Sequence, residues 1–242
     1  MNEKELLEWT ISNPQLLVLS GSRLYGVEEP EDDFDFVGFT IPPKDYQLGL
    51  FDEEGNPYRF IQRDIKKDNE DIRMYGARHF IELAIKSTPR VIEAMFAAKQ
   101  DIETWGYLRE LNDWGRELCG AVGKLISKKT ICDYVRFARE ELDKSAGGVN
   151  PYFGSYHIKN AVAAIRLLDS AKELIETGEL SFPCKHRKLY KKIQLQKITE
   201  RDVEYLFRDR EKEVWELHKT SDMKDTPDYD WINDLLAEVL DL

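Results

Sequence analysis

Cysteine and histidine are scarce in this chain, and neither recurs at a spacing that binds metal. The three Cys (Cys119, Cys132, Cys184) are scattered along 242 residues, so reduced thiols in a cytoplasm are the simplest expectation. The four His (His79, His157, His186, His218) have no zinc spacing and read as structural or surface residues. Long apolar runs are missing too. No window approaches about 18 consecutive apolar residues, so no transmembrane helix is expected. The first residues, MNEKELLEWTISN, are charged and amphipathic, without the basic start and apolar run of a secretory leader. No internal repeat or low-complexity segment is visible. A general excess of positive charge is also lacking: the formal net charge is −11, which argues against a generic nucleic-acid coat.

What the chain does have is enough apolar content, 42%, to bury a core in one large or two modest domains. Its charge is uneven. Residues 116–200 hold 16 Lys or Arg against 10 Asp or Glu, so the remainder is strongly acidic. An acidic front with a more basic middle fits a metal site beside a surface that meets an anion; chance variation on solvated helices fits as well.

Periodicity divides the chain into a small α/β part, to about residue 100, and a helical part. A short helix is expected over 3–12. The run LLVLS at 16–20, ended by Gly21, predicts a buried strand, and DFDFVGFTI at 33–41 predicts a second, stopped by Pro42 and Pro43. Residues 44–57 read as a loop, with a hairpin as one option, and 58–65 and 71–76 as weaker strands. From about Ala77 the spacing turns helical, with Pro89 suiting the first turn of a second helix. Further helices are expected near 104–125, 128–145, 157–177, 199–218 and 229–241. Gly178 falls at a helix C-cap, and the Gly-rich 145–155 reads as a loop.

The most informative stretch is LSGSRLYGVEEPEDDFDF, residues 19–36. A strand ending at Ser20 gives way to Gly21, which permits a tight turn with close backbone approach to a ligand. Ser22 would begin a short helix, and its backbone N–H groups and hydroxyl suit an anion. The second strand brings Asp33 and Asp35 onto one face, with Phe34 and Phe36 on the other, toward the core. Two carboxylates beside a phosphate cradle suit Mg²⁺, which takes one or two protein carboxylates and completes its shell with phosphate oxygens and water. Either element alone is weak, since a lone Gly-Ser and a solvated Asp-x-Asp are both common; their order and separation are more specific.

This stretch resembles the Gly-Ser…Asp-x-Asp signature of the nucleotidyltransferases of the DNA polymerase β superfamily. It is most similar to the branch known as YcgL-like or RNA-ligase-associated (RlaP). Gly21, Ser22, Tyr25, Gly26, Asp33, Asp35 and Gly38 match, and the similarity continues through residues 71–96 and 159–183 to cover most of 15–240. The resemblance implies an α+β fold: a small polymerase-β-like mixed sheet with flanking helices over residues 1–105, followed by an all-helical C-terminal domain over 106–242. It implies a third carboxylate, for which Asp71 aligns best, with Glu70 and Asp68 as rivals. Asp33, Asp35 and Asp71 are then the expected catalytic and metal-holding residues. Where relatives carry a His after the Lys-x-Ala segment, this chain has Ala163.

The nucleotide-binding expectation comprises Gly21, Ser22, Arg23, Tyr25, Lys159 and Arg166. Arg23 and Arg78 could steady phosphates or be ordinary surface arginines. Lys159 and Arg166, seven apart on an expected helix, form a basic wall or a solvated face. The most basic run, KHRKLYKK, offers Lys185, Arg187, Lys188, Lys191 and Lys192 as an acceptor-binding cluster that could grip RNA; Tyr190 within it stacks a base or lies in the core. The implied activity is transfer of an NMP from an NTP to a hydroxyl, an RNA end foremost, with Mg²⁺ or Mn²⁺ and release of pyrophosphate. An RNA ligase or a protein acceptor is an expected partner, and a cytoplasmic protein without membrane contact is expected. Two other readings stay open: nucleotidylation of a protein or small molecule, and a non-catalytic nucleotide-binding or antitoxin-like partner.

Overall fold

The computed structural model describes residues 3–48, 62–102, 104, 106–146 and 157–240. The hairpin option at 49–57, the first half of the strand candidate at 58–65 and most of the Gly-rich 145–155 lie outside them. Five strands form one mixed sheet: β1 (Pro14–Leu19), β2 (Phe34–Thr40), β3 (Gln62–Lys67), β4 (Glu70–Gly76) and β5 (Leu108–Leu111). Their spatial order is β3-β4-β2-β1-β5. Only β2 and β4 run parallel; the other neighbours are antiparallel.

The helices are α1 (Glu3–Ser12), α2 (Gly21–Tyr25), α3 (Lys44–Leu48), α4 (Ala77–Ile85), α5 (Pro89–Asp101), α6 (Asp113–Gly120), α7 (Lys128–Ala146), α8 (Ile158–Thr177), α9 (Arg187–Gln194), α10 (Glu200–Thr220) and α11 (Tyr229–Val239). Alternation along β2 sends Val37 and Phe39 to one face of the sheet, where Phe39 stacks on Phe80 of α4 at 4.8 Å. The other face carries a smaller cluster of Leu17, Ile65, Ile72 and Met74, with Leu7 of α1 and Phe36 against it.

The middle of the molecule is α5. Val91, Ile92, Met95, Phe96, Ala97 and Ala98 are all buried, as in a helix packed between two layers, with Glu93 buried among them. One side meets the sheet, and the main core continues beyond it into α7, α8, α10 and α11. No helix among the described residues is long and apolar enough to cross a membrane.

The structure corrects two local expectations. Residues 44–48 form the short helix α3 rather than loop. The single helix expected over 104–125 is instead β5 followed by α6. Leu108 and Leu111 lie three apart and mimic a helical stripe, but both are buried as strand residues on the free edge of β1. A bulge at Arg109 of β5, opposite Leu17 and Val18 of β1, absorbs the odd spacing, pairing Leu16 with Leu111 and Val18 with Leu108. The Asp101 carboxylate fixes the start of β5 by accepting the Leu108 N–H at 2.8 Å. The fifth strand thus lies past residue 105.

Candidate active site

The parallel register of β2 and β4 decides which carboxylates meet. Asp35 stands opposite Asp71, and Phe34 opposite Glu70. Asp35 and Asp71 therefore share a face, while Glu70 follows Phe34 to the other, where its carboxylate pairs with Arg109 at 2.7 Å. Asp68 is in the tight β3–β4 connection with φ 53°, off the strand altogether. Of the three rivals, Asp71 alone sits beside Asp35. Asp33, one residue before β2, is exposed at the rim of the same cleft.

Phe34 and Phe36 do take the opposite face, but they are half-buried rather than core. The Arg23 guanidinium lies 3.9 Å from the Phe34 ring centre and that of Arg109 5.1 Å from Phe36. Two cations cover rings that the apolar cluster is too small to enclose.

The Gly21 turn is shaped by Asp35. Ser20 N–H donates to the Asp35 carbonyl at 2.8 Å, closing the turn onto β2. Gly21 has φ +67°, and a Cβ there would lie 2.1 Å from Asp35 Oδ2. Only glycine allows both the left-handed backbone and that carboxylate. Helix α2 is five residues long, so its dipole is small, and any anion site here rests on the turn's own N–H groups.

Asp32, which the spacing of the motif does not single out, organises the loop. It accepts the Ser22 hydroxyl at 2.8 Å and the Glu29 N–H at 2.9 Å. The Glu29 N–H, helped by Ser22 and opposed by burial, holds the Asp32 carboxyl below the usual carboxylate range. Arg23 turns to this loop as well, donating to the carbonyls of Asp32 at 2.6 Å and Asp33 at 3.3 Å. Its guanidinium is thus engaged by the loop backbone.

Tyr25 joins the turn to the helices. Its hydroxyl donates to Glu93 Oε2 at 2.7 Å, Arg166 pairs with Glu93 Oε1, and the Arg166 guanidinium lies 3.8 Å from the Tyr25 ring centre. Glu93 and Arg166 are 1% and 7% exposed, so Arg166 belongs to a buried pair rather than to a solvated face. Burial above all, with Glu93 adding to it against Arg166, raises the Tyr25 hydroxyl far above its ordinary range, so it stays a donor.

Two cations flank the carboxylates. Lys159 of α8 lines the cleft and forms no ion pair among the described residues. Arg90, the second residue of α5, faces Asp35 from the other side. No motif marks Arg90, although a cation in the first turn of a helix opposes the dipole and so signals another use. Arg78, expected beside Arg23 as a phosphate contact or a surface arginine, pairs with Glu82 one turn along at 3.1 Å. Burial raises the Asp35 carboxyl above the usual carboxylate range; Arg90 opposes this, and Asp71 and Asp33 add to it.

The cleft has two lobes meeting at Asp35 and Asp71. One, about 540 Å³, runs toward β3 past Asp64, Lys66 and Arg90. The other, about 450 Å³, runs between Val27 and the α8 residues Ile158, Val162 and Ala163 to Gln194 at the end of α9. Among the described residues no three His, Cys, Asp or Glu side chains are gathered into a closed metal cage. Asp71 pairs with Lys66 at 3.1 Å. The donor set nevertheless fits a divalent ion that keeps most of its shell for substrate and water: two carboxylates in register on adjacent strands, open to the cleft.

The basic run is split by α9. Tyr190 is buried and donates to Asp169 at 2.7 Å, so it is a core residue. Lys185 pairs with Glu173 at 2.7 Å. Arg187, Lys188, Lys191 and Lys192 are exposed. Gln194 places the end of this helix against the cleft.

Over 99 residues the chain is 28% identical to an uncharacterized 38.9 kDa protein in the nrdC-mobD intergenic region of Enterobacteria phage T4, a match covering 37% of this chain. The matched part spans 29% of that relative's length. A solved nucleotidyltransferase-like protein from Exiguobacterium sibiricum 255-15 is similar at 10% identity and a TM-score of 0.30, over 90% of this chain and 73% of that one. The RNA repair pathway DNA polymerase beta family (RlaP) matches residues 14–241. That span holds the whole sheet, the Gly21 turn, both facing carboxylates and every helix after α1, and the chain belongs to this RNA repair pathway DNA polymerase beta family.

Proposed function

We propose that the chain is a divalent-metal-dependent nucleotidyltransferase that moves an NMP from an NTP to a hydroxyl acceptor, an RNA end foremost. The observation that carries the reading is the register of Asp35 with Asp71 beside a turn whose glycine makes room for Asp35. In this reading residues 1–105 supply the carboxylates and the Gly21 turn, and residues 106–242 supply the wall of α8 and α9.

The triphosphate lies along the Gly21–Ser22 N–H groups, with Lys159 and Arg90 on either side to meet its charge. Asp35, Asp71 and Asp33 at the rim would hold Mg²⁺ or Mn²⁺, which would supply charge neutralisation at the phosphates and at the attacking hydroxyl. The acceptor oxygen forms a bond to the α-phosphorus while the bond from that phosphorus to its bridging oxygen breaks. Pyrophosphate leaves and the hydroxyl proton passes to water. The protein's own share is placement, since in-line displacement gains most from aligned reactants. Tyr25, held by Glu93 and Arg166, fixes the turn against α5 and α8. The exposed cations of α9 suit an RNA backbone at the rim, and an RNA ligase is a fitting partner for a family placed in RNA repair.

A label-transfer assay tests the reading. Purified protein is mixed with each α-labelled NTP, Mg²⁺ or Mn²⁺, and total RNA or total protein extract, with Asp33→Asn and Asp35→Asn as controls. Label on RNA, lost in both variants, is the expected result. Label on protein moves the acceptor to a side chain. No label and no pyrophosphate release overturns the enzyme reading in favour of a non-catalytic nucleotide-binding protein.

A further inference from the structure

The hydroxyl of Ser22, in the Gly-Ser turn, is already committed. Its Oγ donates to Asp32 Oδ2 at 2.8 Å, and a hydroxyl has one proton to give. The same carboxylate oxygen accepts the Glu29 N–H at 2.9 Å, while Arg23 holds the Asp32 carbonyl at 2.6 Å. These contacts keep Asp32 against the turn, and the two made to its carboxylate favour the charged form.

That charge stands where the triphosphate is placed. Asp32 lines the α8 lobe of the cleft with Glu31, Asp33, Asp35 and Asp71. The cations of the same lining are Lys159 and Arg166, and Arg166 is already paired with Glu93. The lobe is therefore more acidic than basic, an unusual lining for a site that takes a polyanion. Asp33, Asp35 and Asp71 are the carboxylates a divalent ion would cover. Asp32 is tied to Ser22 and Glu29 instead, so its charge persists when the metal is bound. Repulsion between like charges grows with the charge of the ligand, and a bare triphosphate is more negative than one complexed with metal.

We infer that Asp32 is a specificity-determining residue of the turn. Its fixed carboxylate disfavours bare polyphosphate relative to the metal-complexed triphosphate. Ser22 serves Asp32, and the phosphate is left to the backbone N–H groups. The inference rests on the nucleotidyltransferase reading and adds how the turn tells a metal-complexed NTP from a free phosphate chain.

Equilibrium binding at low salt tests it, with inorganic tripolyphosphate in EDTA, tripolyphosphate with Mg²⁺, and each NTP with Mg²⁺. Asp32→Asn removes the charge and keeps an amide oxygen for Ser22 and Glu29. It is expected to bind metal-free tripolyphosphate about threefold or more tighter than wild type, with a smaller gain when Mg²⁺ is present. Ser22→Ala is expected to bind tripolyphosphate within about threefold of wild type in either condition, because its hydroxyl makes no phosphate contact. The inference is overturned by a metal-free gain below about threefold in Asp32→Asn, by an equal gain with Mg²⁺, or by a larger loss in Ser22→Ala. Absence of metal-free binding in both wild type and Asp32→Asn overturns it as well. If Asp32 only shaped the loop, Asp32→Asn would match wild type and Asp32→Ala would weaken every ligand. Retained NTP binding with Mg²⁺ shows that each variant is folded. The parent reading stands through all of these failures as long as the wild type binds an NTP with Mg²⁺; if it binds none, the parent reading fails and the inference falls with it.

Discussion

Gly21→Ala puts the site's packing to a direct test. A Cβ at Gly21 would stand 2.1 Å from Asp35 Oδ2 and 2.9 Å from Asp35 Cγ, where ordinary contacts begin near 3.4 Å. The carboxylate must move by more than an ångström, which forces Asp35 off its rotamer at about 0.5–1.5 kcal/mol. The alanine must also hold φ +67°, at about 1–2 kcal/mol. Together these amount to about 1.5–3.5 kcal/mol. At about 2–4 °C per kcal/mol for a chain of this size, the melting midpoint should fall by about 3–14 °C. Transfer should suffer more, since a 1 Å error in a catalytic group costs on the order of 10²-fold. Scanning calorimetry and the label-transfer assay read the two effects. The double variant Gly21→Ala/Asp35→Ala isolates the carboxylate: without it only the backbone share and a mild contact with the Asp35 Cβ at 3.1 Å should remain, so the alanine should cost about 1 kcal/mol less than in the wild type. A single variant that melts within 1 °C of wild type and transfers normally, or a double variant with the full cost, would show that Gly21 is not glycine because of Asp35.

Three further outcomes are expected. Removing one member of the buried Glu93–Arg166 pair, as in Arg166→Met, should destabilise by about 3–5 kcal/mol in urea titration, because the other charge is left alone in the core; a loss under 1 kcal/mol would mean the pair is hydrated. Asp35 binds its proton more tightly folded than unfolded, so its charged form opposes folding at neutral pH, and that opposition fades as pH falls through the raised folded value into the ordinary carboxylate range. Asp35→Asn should accordingly melt higher than wild type at pH 7 and lose this gain in acid, while Mg²⁺ stabilises only the wild type; an equal Mg²⁺ response in both would remove Asp35 from the metal site. Changing Lys188, Lys191 and Lys192 together to Glu should weaken RNA binding and flatten its dependence on salt, by about 0.7 in log–log slope for each lost phosphate contact, and unchanged binding would take α9 out of the acceptor path.

Much of the fold is legible in residue order because its elements carry their own signals. Helices α7, α8, α10 and α11 follow apolar spacing that needs no partner to be read, and Gly178 ends α8 in a left-handed cap, φ +71°. The strand–turn–strand from Leu16 to Thr40 is legible for a similar reason: Gly21 and the alternating Asp and Phe are local constraints. Strand β5 is not legible in this way, because two leucines three apart serve a helix or a bulged strand equally well. The free edge of β1, about ninety residues upstream, chose the strand.

The site divides along the same line. Gly21, Ser22, Asp33 and Asp35 are fixed by a run of fifteen residues, where period and turn chemistry place side chains on a shared face. That Asp71 rather than Glu70 or Asp68 stands beside Asp35 follows only from the parallel register of β2 with β4. The partner of Arg166 lies 73 residues away on α5, and no spacing on α8 announces it. Arg90 and Gln194 reach the cleft from helices whose own periods say nothing of it. Sequence alone determined the local geometry of the turn and its first carboxylates, because backbone sterics act between neighbours. Tertiary structure decided the third carboxylate, the flanking cations and the lobe toward Gln194, because those depend on which distant surfaces the burial of the α5 core brings together.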